Sequence, residues 1–324
     1  SSGNRLALSR LITEVENETS TGKAVLDECF TRSGKAHLIG VTGAPGTGKS
    51  SLVNRIAQLV RREGAKTVAV VAIDPSSPFT GGAILGDRVR MRDLAGDPGV
   101  FIRSMASRGE LGGLSRTTAG VVQLLDAAGY DLILIETVGA GQSEVDIARL
   151  AHTTIVVESP GMGDDIQAIK AGILEIADIL VINKADRPGI ENTERALRAN
   201  LELGYNQRVN GKAGHGGYSE TSQKEESEGW IPPVVKTIAT EETGVPEVIK
   251  AIEDHKGYLL ETGLYRQRER ERLLDEFQHL LRHALVENWK NDCPAERVDR
   301  IMEEVFNRKR SPGSAVEELI KKDI

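Results

Sequence analysis

Between residues 37 and 238 the sequence alternates short, almost wholly apolar runs with amphipathic segments. The apolar runs fall at 37–41, 67–73, 100–102, 132–135, 154–157, 179–182 and 234–238. A strand with one wet face alternates apolar and polar residues. These runs do not, so both faces of each strand must be covered. Segments such as 51–63 and 166–177, with apolar residues at helical spacing, can supply the cover. Buried strands alternating with helices predict an α/β fold with a mostly parallel, doubly wound sheet.

Helical pattern flanks this region on both sides. At the N-terminal side Leu8, Leu11, Ile12 and Val15, then Ala24, Val25 and Leu26, recur at helical spacing. After Gly244 the chain reads as wholly helical, and Leu264, Leu273, Leu274, Phe277, Leu280, Leu281 and Leu285 line one side of a long charged helix. Such a stripe either packs on its own domain or forms a dimer surface. The polar, Gly/Ser/Glu-rich stretch 211–229 reads as an inserted surface loop. The expected organisation is an N-terminal helical extension at 1–34, a sheet domain at 35–260 and a C-terminal helical dimerisation region at 261–324.

Composition narrows the function. A net charge of −7 with no basic run points away from nucleic acid, whose phosphates are bound by clustered Lys and Arg. No apolar stretch reaches the roughly 20 residues that span a bilayer. The two cysteines, Cys29 and Cys293, are isolated, which fits a reducing cytoplasm better than a disulfide framework. The chain opens Ser1-Ser2-Gly3 without an initiator Met, which reads as a trimmed end and leaves open a removed targeting segment.

Directly after the first apolar run stands Gly43-Ala44-Pro45-Gly46-Thr47-Gly48-Lys49-Ser50, with Ser51 opening the next helix. This is the P-loop pattern G-x-x-x-x-G-K-[ST] in its required context of strand, glycine loop and helix. The glycines let the backbone wrap phosphates, whose charge the loop amides and the helix N-terminus then face. Lys49 is expected on the β- and γ-phosphates and Ser50 on Mg²⁺. Glu136 ends the run 132–135 and opens Glu136-Thr137-Val138-Gly139, an E-x-x-G form of the D-x-x-G element. Glu136 would hold Mg²⁺, and the Gly139 amide would sense the γ-phosphate. A helix cap is the alternative for Glu136. Asp74, at the end of another strand, points by the same logic at the phosphate crevice. Asp87 reads by default as a helix cap, but the preceding Gly81-Gly82 could let its loop reach the metal.

The run 179–182 ends in Asn183-Lys184-Ala185-Asp186, the form N-K-x-D. The Asp186 carboxylate can accept from both N1–H and N2–H₂ of guanine. Adenine would leave that carboxylate unpaired, which is a strong ground for rejection. Asn183 would donate to the guanine edge or tie this loop to the P-loop, and the Lys184 stem can lie over the base. A last base contact is expected from 236–240, at Ala239, although the usual Ser-Ala pair is absent there. Together these elements predict GTP/GDP and Mg²⁺ as ligands.

Several of these segments resemble the MeaB/ArgK family of GTPases. They are the P-loop with Ser51, Asp74-Pro75-Ser76-Ser77, Gly86-Asp87-Arg88-Val89-Arg90-Met91, Ser107-Arg108-Gly109 with Leu111-Gly112-Gly113, the run from Glu136 through Gly141-Gln142-Ser143-Glu144, and Asn183–Asp186. The resemblance implies a homodimeric GTPase that chaperones an adenosylcobalamin-dependent acyl-CoA mutase, methylmalonyl-CoA mutase above all. Such a protein gates cofactor loading and protects or reactivates the mutase. The resemblance also implies Asp74, Asp87 and Glu136 as the magnesium carboxylates. It maps a loop coupled to the mutase onto 159–165, with Lys170 shortly after. Lys49, Glu136, Gly139 and Lys170 are then the expected catalytic group. Asp164 and Asp165 can equally be an acidic pair at a helix N-terminus.

Two other activities share parts of this pattern. A nickel-insertion GTPase of hydrogenase or urease maturation would be expected to carry a His-rich or Cys/His cluster, whereas the six histidines here are scattered. A protein kinase of a periplasmic transport system would need a phosphoacceptor pocket that the sequence does not display.

Overall fold

The computed structural model describes residues 4–64, 66–75, 91–94, 96–107, 116–137, 143–161, 171–211 and 229–320. Two compact units lie along the chain, residues 1–269 and 270–324. The first holds seven strands among the described residues: β1 (His37–Thr42), β2 (Val68–Pro75), β3 (Val100–Ser107), β4 (Leu132–Thr137), β5 (Thr153–Glu158), β6 (Ile179–Asn183) and β7 (Val234–Thr237). They form one sheet in the order β3-β2-β4-β1-β5-β6-β7. All pairings are parallel, as the unbroken apolar runs require. Every residue of β1, β4, β5 and β6 is buried.

Helices cover both faces. On one, α3 (Lys49–Gly64) and α8 (Val245–Glu261) pack Leu52, Ile56, Val248 and Ile252 onto Ile39, Val41, Leu134 and Val181. The other face carries α1 (Arg5–Glu16), α2 (Ser20–Phe30), α4 (Arg116–Ala127) and α5 (Ser143–Leu150), burying Ile12, Leu125 and Ile147 against Leu38, Val71 and Ile135. Further along that face, α6 (Ala171–Glu175) supplies Ile173, and α7 (Ile190–Gly211) brings Leu201 against the same cluster. The chain leaves β4 on one side of β1 and returns as β5 on the other. That reversal opens a crevice at the carboxyl ends of the central strands, where α/β sheets bind ligands.

The amino ends of β1, β5 and β6 are held by a buried polar network. Asp178, just before β6, accepts two hydrogen bonds from the Arg268 guanidinium at 2.8 and 2.9 Å, and one from the Thr154 amide at 2.8 Å. Arg268 also donates to the His152 carbonyl at 2.6 Å. It shares a helix face with Tyr265 and Glu269, at the start of α9 (Leu264–Asp292). Because His152 Nδ1 accepts from the Leu38 amide, Nε2 carries the proton and donates to Glu269 at 3.1 Å. The Thr153 hydroxyl bridges His37 Nε2 and His255 Nδ1, each at 2.9 Å. His255 Nε2 lies 3.3 Å from Asp178 Oδ1, too oblique for a directed hydrogen bond. Burial pushes the Asp178 carboxyl up, but the His255 imidazole and the Arg268 fork outweigh it and hold the group at about 2. Burial, reinforced by His152, pushes His37 down to about 2.

The second unit contains the rest of α9, then α10 (Ala295–Phe306) and α11 (Pro312–Ile320). Among its described residues Ile301 and Ala315 are the buried apolar ones, and Trp289 donates to the Leu319 carbonyl at 3.0 Å. No residue of α9 is buried, and Leu274, Phe277, Leu281 and Leu285 are each at least 46% exposed. No helix among the described residues is long and apolar enough to cross a membrane.

The network fixes a pH response. In the folded chain His37 stays neutral far below the ordinary histidine value of about 6.5, so below that pH the unfolded chain binds a proton that the folded one does not. Stability is then lost as pH falls. Asp178, also lowered, acts in the same direction below about pH 4. Between pH 7 and pH 5, His37→Gln should lose about 2 kcal/mol less stability than the parent chain, measured by urea unfolding at both pH values.

Candidate nucleotide site

At the carboxyl edge of the sheet, β1 runs into the glycine loop and the loop into α3. Gly43, Gly46 and Gly48 take φ of +138°, +82° and +95°, values open to glycine but strained for other residues. At Gly48 a Cβ would also stand 2.2 Å from Asn183 Nδ2, so the loop depends on that glycine twice over. The Gly48 carbonyl accepts from the Leu52 amide at 3.0 Å, which starts the helix and leaves its first-turn amides facing the loop. Lys49 is 5% exposed, and its ammonium donates to the Gly43 and Ala44 carbonyls at 2.8 and 2.9 Å. The cation is thus held over the loop that the phosphates would fill.

Ser50 and Glu136 meet from different elements. The Ser50 hydroxyl donates to Glu136 Oε1 at 2.6 Å, and both side chains are buried. Glu136 is placed by the sheet: it pairs with Val41 on β1 and with Ala72 on β2. Its neighbour Thr137 hydrogen-bonds Thr42 through the two hydroxyls at 2.9 Å, tying the ends of β4 and β1 together. Asp74 is buried at the end of β2, beside β4. Ser50 with Glu136, and Asp74 on the adjacent strand, are hard oxygen donors of the type that suits Mg²⁺. The Glu136 carboxylate thus turns to Ser50 on another element.

The Asn183 carboxamide connects the phosphate loop to the far side of the crevice. Its Nδ2 donates to the Thr47 carbonyl at 2.9 Å. Its Oδ1 accepts from the Thr237 hydroxyl and the Ala239 amide, each at 3.1 Å. Donors on one side and an acceptor on the other fix the orientation of the amide. Of the two roles open to Asn183 in the sequence, the tie to the P-loop is present in the structure. Lys184 takes a left-handed φ of +60° and donates to the Gly46 carbonyl at 2.5 Å. Asp186 is exposed two residues on, and Ala185 is pinned by its amide to the Thr237 carbonyl at 3.0 Å.

The structure therefore brings Gly43 to Ser50, Glu136, Asn183, Lys184 and Ala239 into one continuous set of contacts, with Ser51 in the first turn of α3 and Asp74 one strand away. Asp87, Gly139 and Lys170 lie outside the described residues, as do Asp164 and Asp165. Sequence reasoning missed the Thr42–Thr137 link and the part played by Thr237. Neither belongs to a local pattern; each arises only when distant strands are set side by side.

This geometry has relatives. The family model for methylmalonyl-CoA mutase-associated GTPase MeaB matches residues 8–293. A Pyrococcus horikoshii relative is 42% identical over 99% of this chain and 95% of its own length. GTPase ArgK of Escherichia coli is 40% identical over 82% of this chain and 76% of its own. The mitochondrial methylmalonic aciduria type A homolog of Caenorhabditis elegans is 30% identical over 99% and 80%. Among solved structures, one described as a LAO/AO transport system kinase superposes with a TM-score of 0.67 at 26% identity, over 98% of this chain and 92% of that one. The chain belongs to the MeaB family of GTPases; it binds guanine nucleotide and hydrolyses GTP.

Removing the Asn183 carboxamide should be costly. Asn183→Ala leaves the Thr47 carbonyl and the Ala239 amide buried without their partner, and should destabilise the chain by about 2–4 kcal/mol in urea unfolding.

Proposed function

We propose that this MeaB-family chain is a magnesium-dependent GTP switch for an adenosylcobalamin-dependent acyl-CoA mutase, gating cofactor loading and protecting or reactivating the mutase. The observation that carries the nucleotide half is the contact of Ser50 with Glu136 beside Lys49, joined through Asn183 to the N-K-x-D segment. The partner half rests on the family, whose description names methylmalonyl-CoA mutase.

The reaction is GTP + H₂O → GDP + phosphate. Lys49, released from the Gly43 and Ala44 carbonyls, and the first-turn amides of α3 face the phosphates and stabilise the charge that develops during transfer. Ser50, Asp74 and Glu136 would hold Mg²⁺, together with Asp87 from outside the described residues. When bound, the ion would supply positive charge against the phosphates. Asp186 accepts from N1–H and N2–H₂ of guanine, and the Ala239 loop faces the O6 side of the base. Gly139 reports the γ-phosphate, and the 159–165 loop with Lys170 carries that state to the mutase.

The exposed apolar residues of α9 favour a homodimer. Leu274, Phe277, Leu281 and Leu285 lie three and four residues apart, so they make one stripe that a second copy can cover. The name of the solved relative keeps a transport-system kinase as a second reading. Labelled GTP or ATP incubated with candidate transport proteins separates the two, since only a kinase transfers label to protein.

Three outcomes are expected. Turnover by the isolated chain is slow and rises at least about tenfold with the mutase, which orders the loops around Gly139; equal turnover with and without it removes the partner half. Asp186→Asn exchanges an acceptor for a donor and should move nucleotide preference from GTP toward XTP, read by competition binding. Phe277→Asp should shift the chain from dimer to monomer in sedimentation.

A further inference from the structure

Beyond β7 the chain makes a tight excursion before α8. Ala239–Glu241 form a single 3₁₀ turn, and an antiparallel bridge between Ile238 and Thr243 closes the loop at its base. Glu242 takes a φ of +62°. Gly244 follows with a φ of +75°, where a Cβ would stand 1.9 Å from the Lys236 carbonyl oxygen. The loop is therefore compact and has little freedom to re-form elsewhere.

Two side chains grip it from opposite sides. Asn183 takes the Ala239 amide. Arg55, on α3, takes the carbonyls: Nε donates to Ala239 O and Nη2 to Thr240 O, both at 3.2 Å. The same peptide segment is thus held through its N–H by the base-recognition motif and through its C=O by the helix that starts at the P-loop. The guanidinium is itself fixed. Nη1 donates to Gln58 Oε1 at 2.7 Å and to Glu242 Oε1 at 3.3 Å, while Arg62, two turns along α3, takes the other Glu242 oxygen at 3.0 Å. Arg55 uses its planar fork on two carbonyls and a carboxylate at once, an arrangement that an ammonium cannot reproduce.

The position of Arg55 on α3 gives this grip its consequence. Ser50 stands in the first turn, beside Glu136; Arg55 stands five residues on, roughly 7.5 Å along the same rigid helix. The helix therefore sets the spacing between the phosphate cradle and the Ala239 loop. Nothing in the P-loop pattern or in N-K-x-D specifies a residue at this place.

We propose that Arg55 is a positioning residue for base selection: it fixes the Ala239 loop at the distance from the phosphate cradle that a guanine nucleotide requires. Its hydrogen bonds go to the Ala239 loop, Gln58 and Glu242 and none to the P-loop, so its loss should weaken guanine binding while sparing the phosphate cradle. The proposal rests on the reading that the Ala239 loop faces guanine.

The test compares the parent chain with Arg55→Ala and Arg55→Lys, titrated with GDP, ADP and pyrophosphate, and follows GTP turnover at saturation. Arg55→Ala should weaken GDP by about 10- to 100-fold, mainly through faster release, with pyrophosphate affinity and saturated turnover within about twofold of the parent. Arg55→Lys should recover little of the loss. Unchanged GDP affinity in both variants overturns the proposal, as does an equal loss for GDP and pyrophosphate. Should Arg55→Ala fail to fold, Arg55→Lys alone decides on the same readings. A parent chain that binds GDP and ADP alike removes the guanine reading itself; a selective parent with equally selective variants removes only the role of Arg55.

Discussion

The Asn183 carboxamide is the contact on which the site depends. Three segments that share no local sequence meet at one buried side chain: the P-loop through Thr47, the end of β6, and the loop after β7 through Thr237 and Ala239. A buried amide with all its partners present is rigid, and one with a partner missing is costly. Under the proposed function, phosphate and base recognition are therefore not separate patches. They are two sides of one hydrogen-bonded junction, and Lys184, bonded to the Gly46 carbonyl, reinforces it from above.

The sheet makes this junction possible. Only in the order found does β1 lie between β4 and β5, so that the loop after β1 is flanked by Glu136 on one side and by β5 and β6 on the other. β6 is only five residues long and is fixed at both ends. Asp178 just before it is clamped by Arg268 and the Thr154 amide, and Asn183 at its far end is tied to the P-loop. A short strand held in this way cannot slip in register without breaking buried polar contacts at both edges of the sheet.

The fold was largely legible in the sequence because burial on both faces leaves an unbroken apolar run, and all seven runs became strands. Their limits were less legible. β3 continues past the apolar 100–102 to Ser107, because it pairs with β2 along its whole length and because Glu16 on α1 neutralises its Arg103. The P-loop, the E-x-x-G element and N-K-x-D were visible because their chemistry is set by local spacing. The contacts that join them were not: Asn183 lies 136 residues from Thr47, and Arg55 lies 184 residues from Ala239. Only the folded sheet brings such pairs together. The leucine stripe of α9 was ambiguous for a different reason, since helical spacing alone cannot tell a core face from a surface face.

The most direct test of the central claim is amide hydrogen exchange of the chain with and without GDP and magnesium. Binding across the junction should slow exchange in peptides covering residues 43–52 and 236–245 together, while ADP at the same concentration should slow neither. Protection of the P-loop peptide alone, or equal protection by GDP and ADP, would contradict a site in which Asn183 joins phosphate binding to guanine selection.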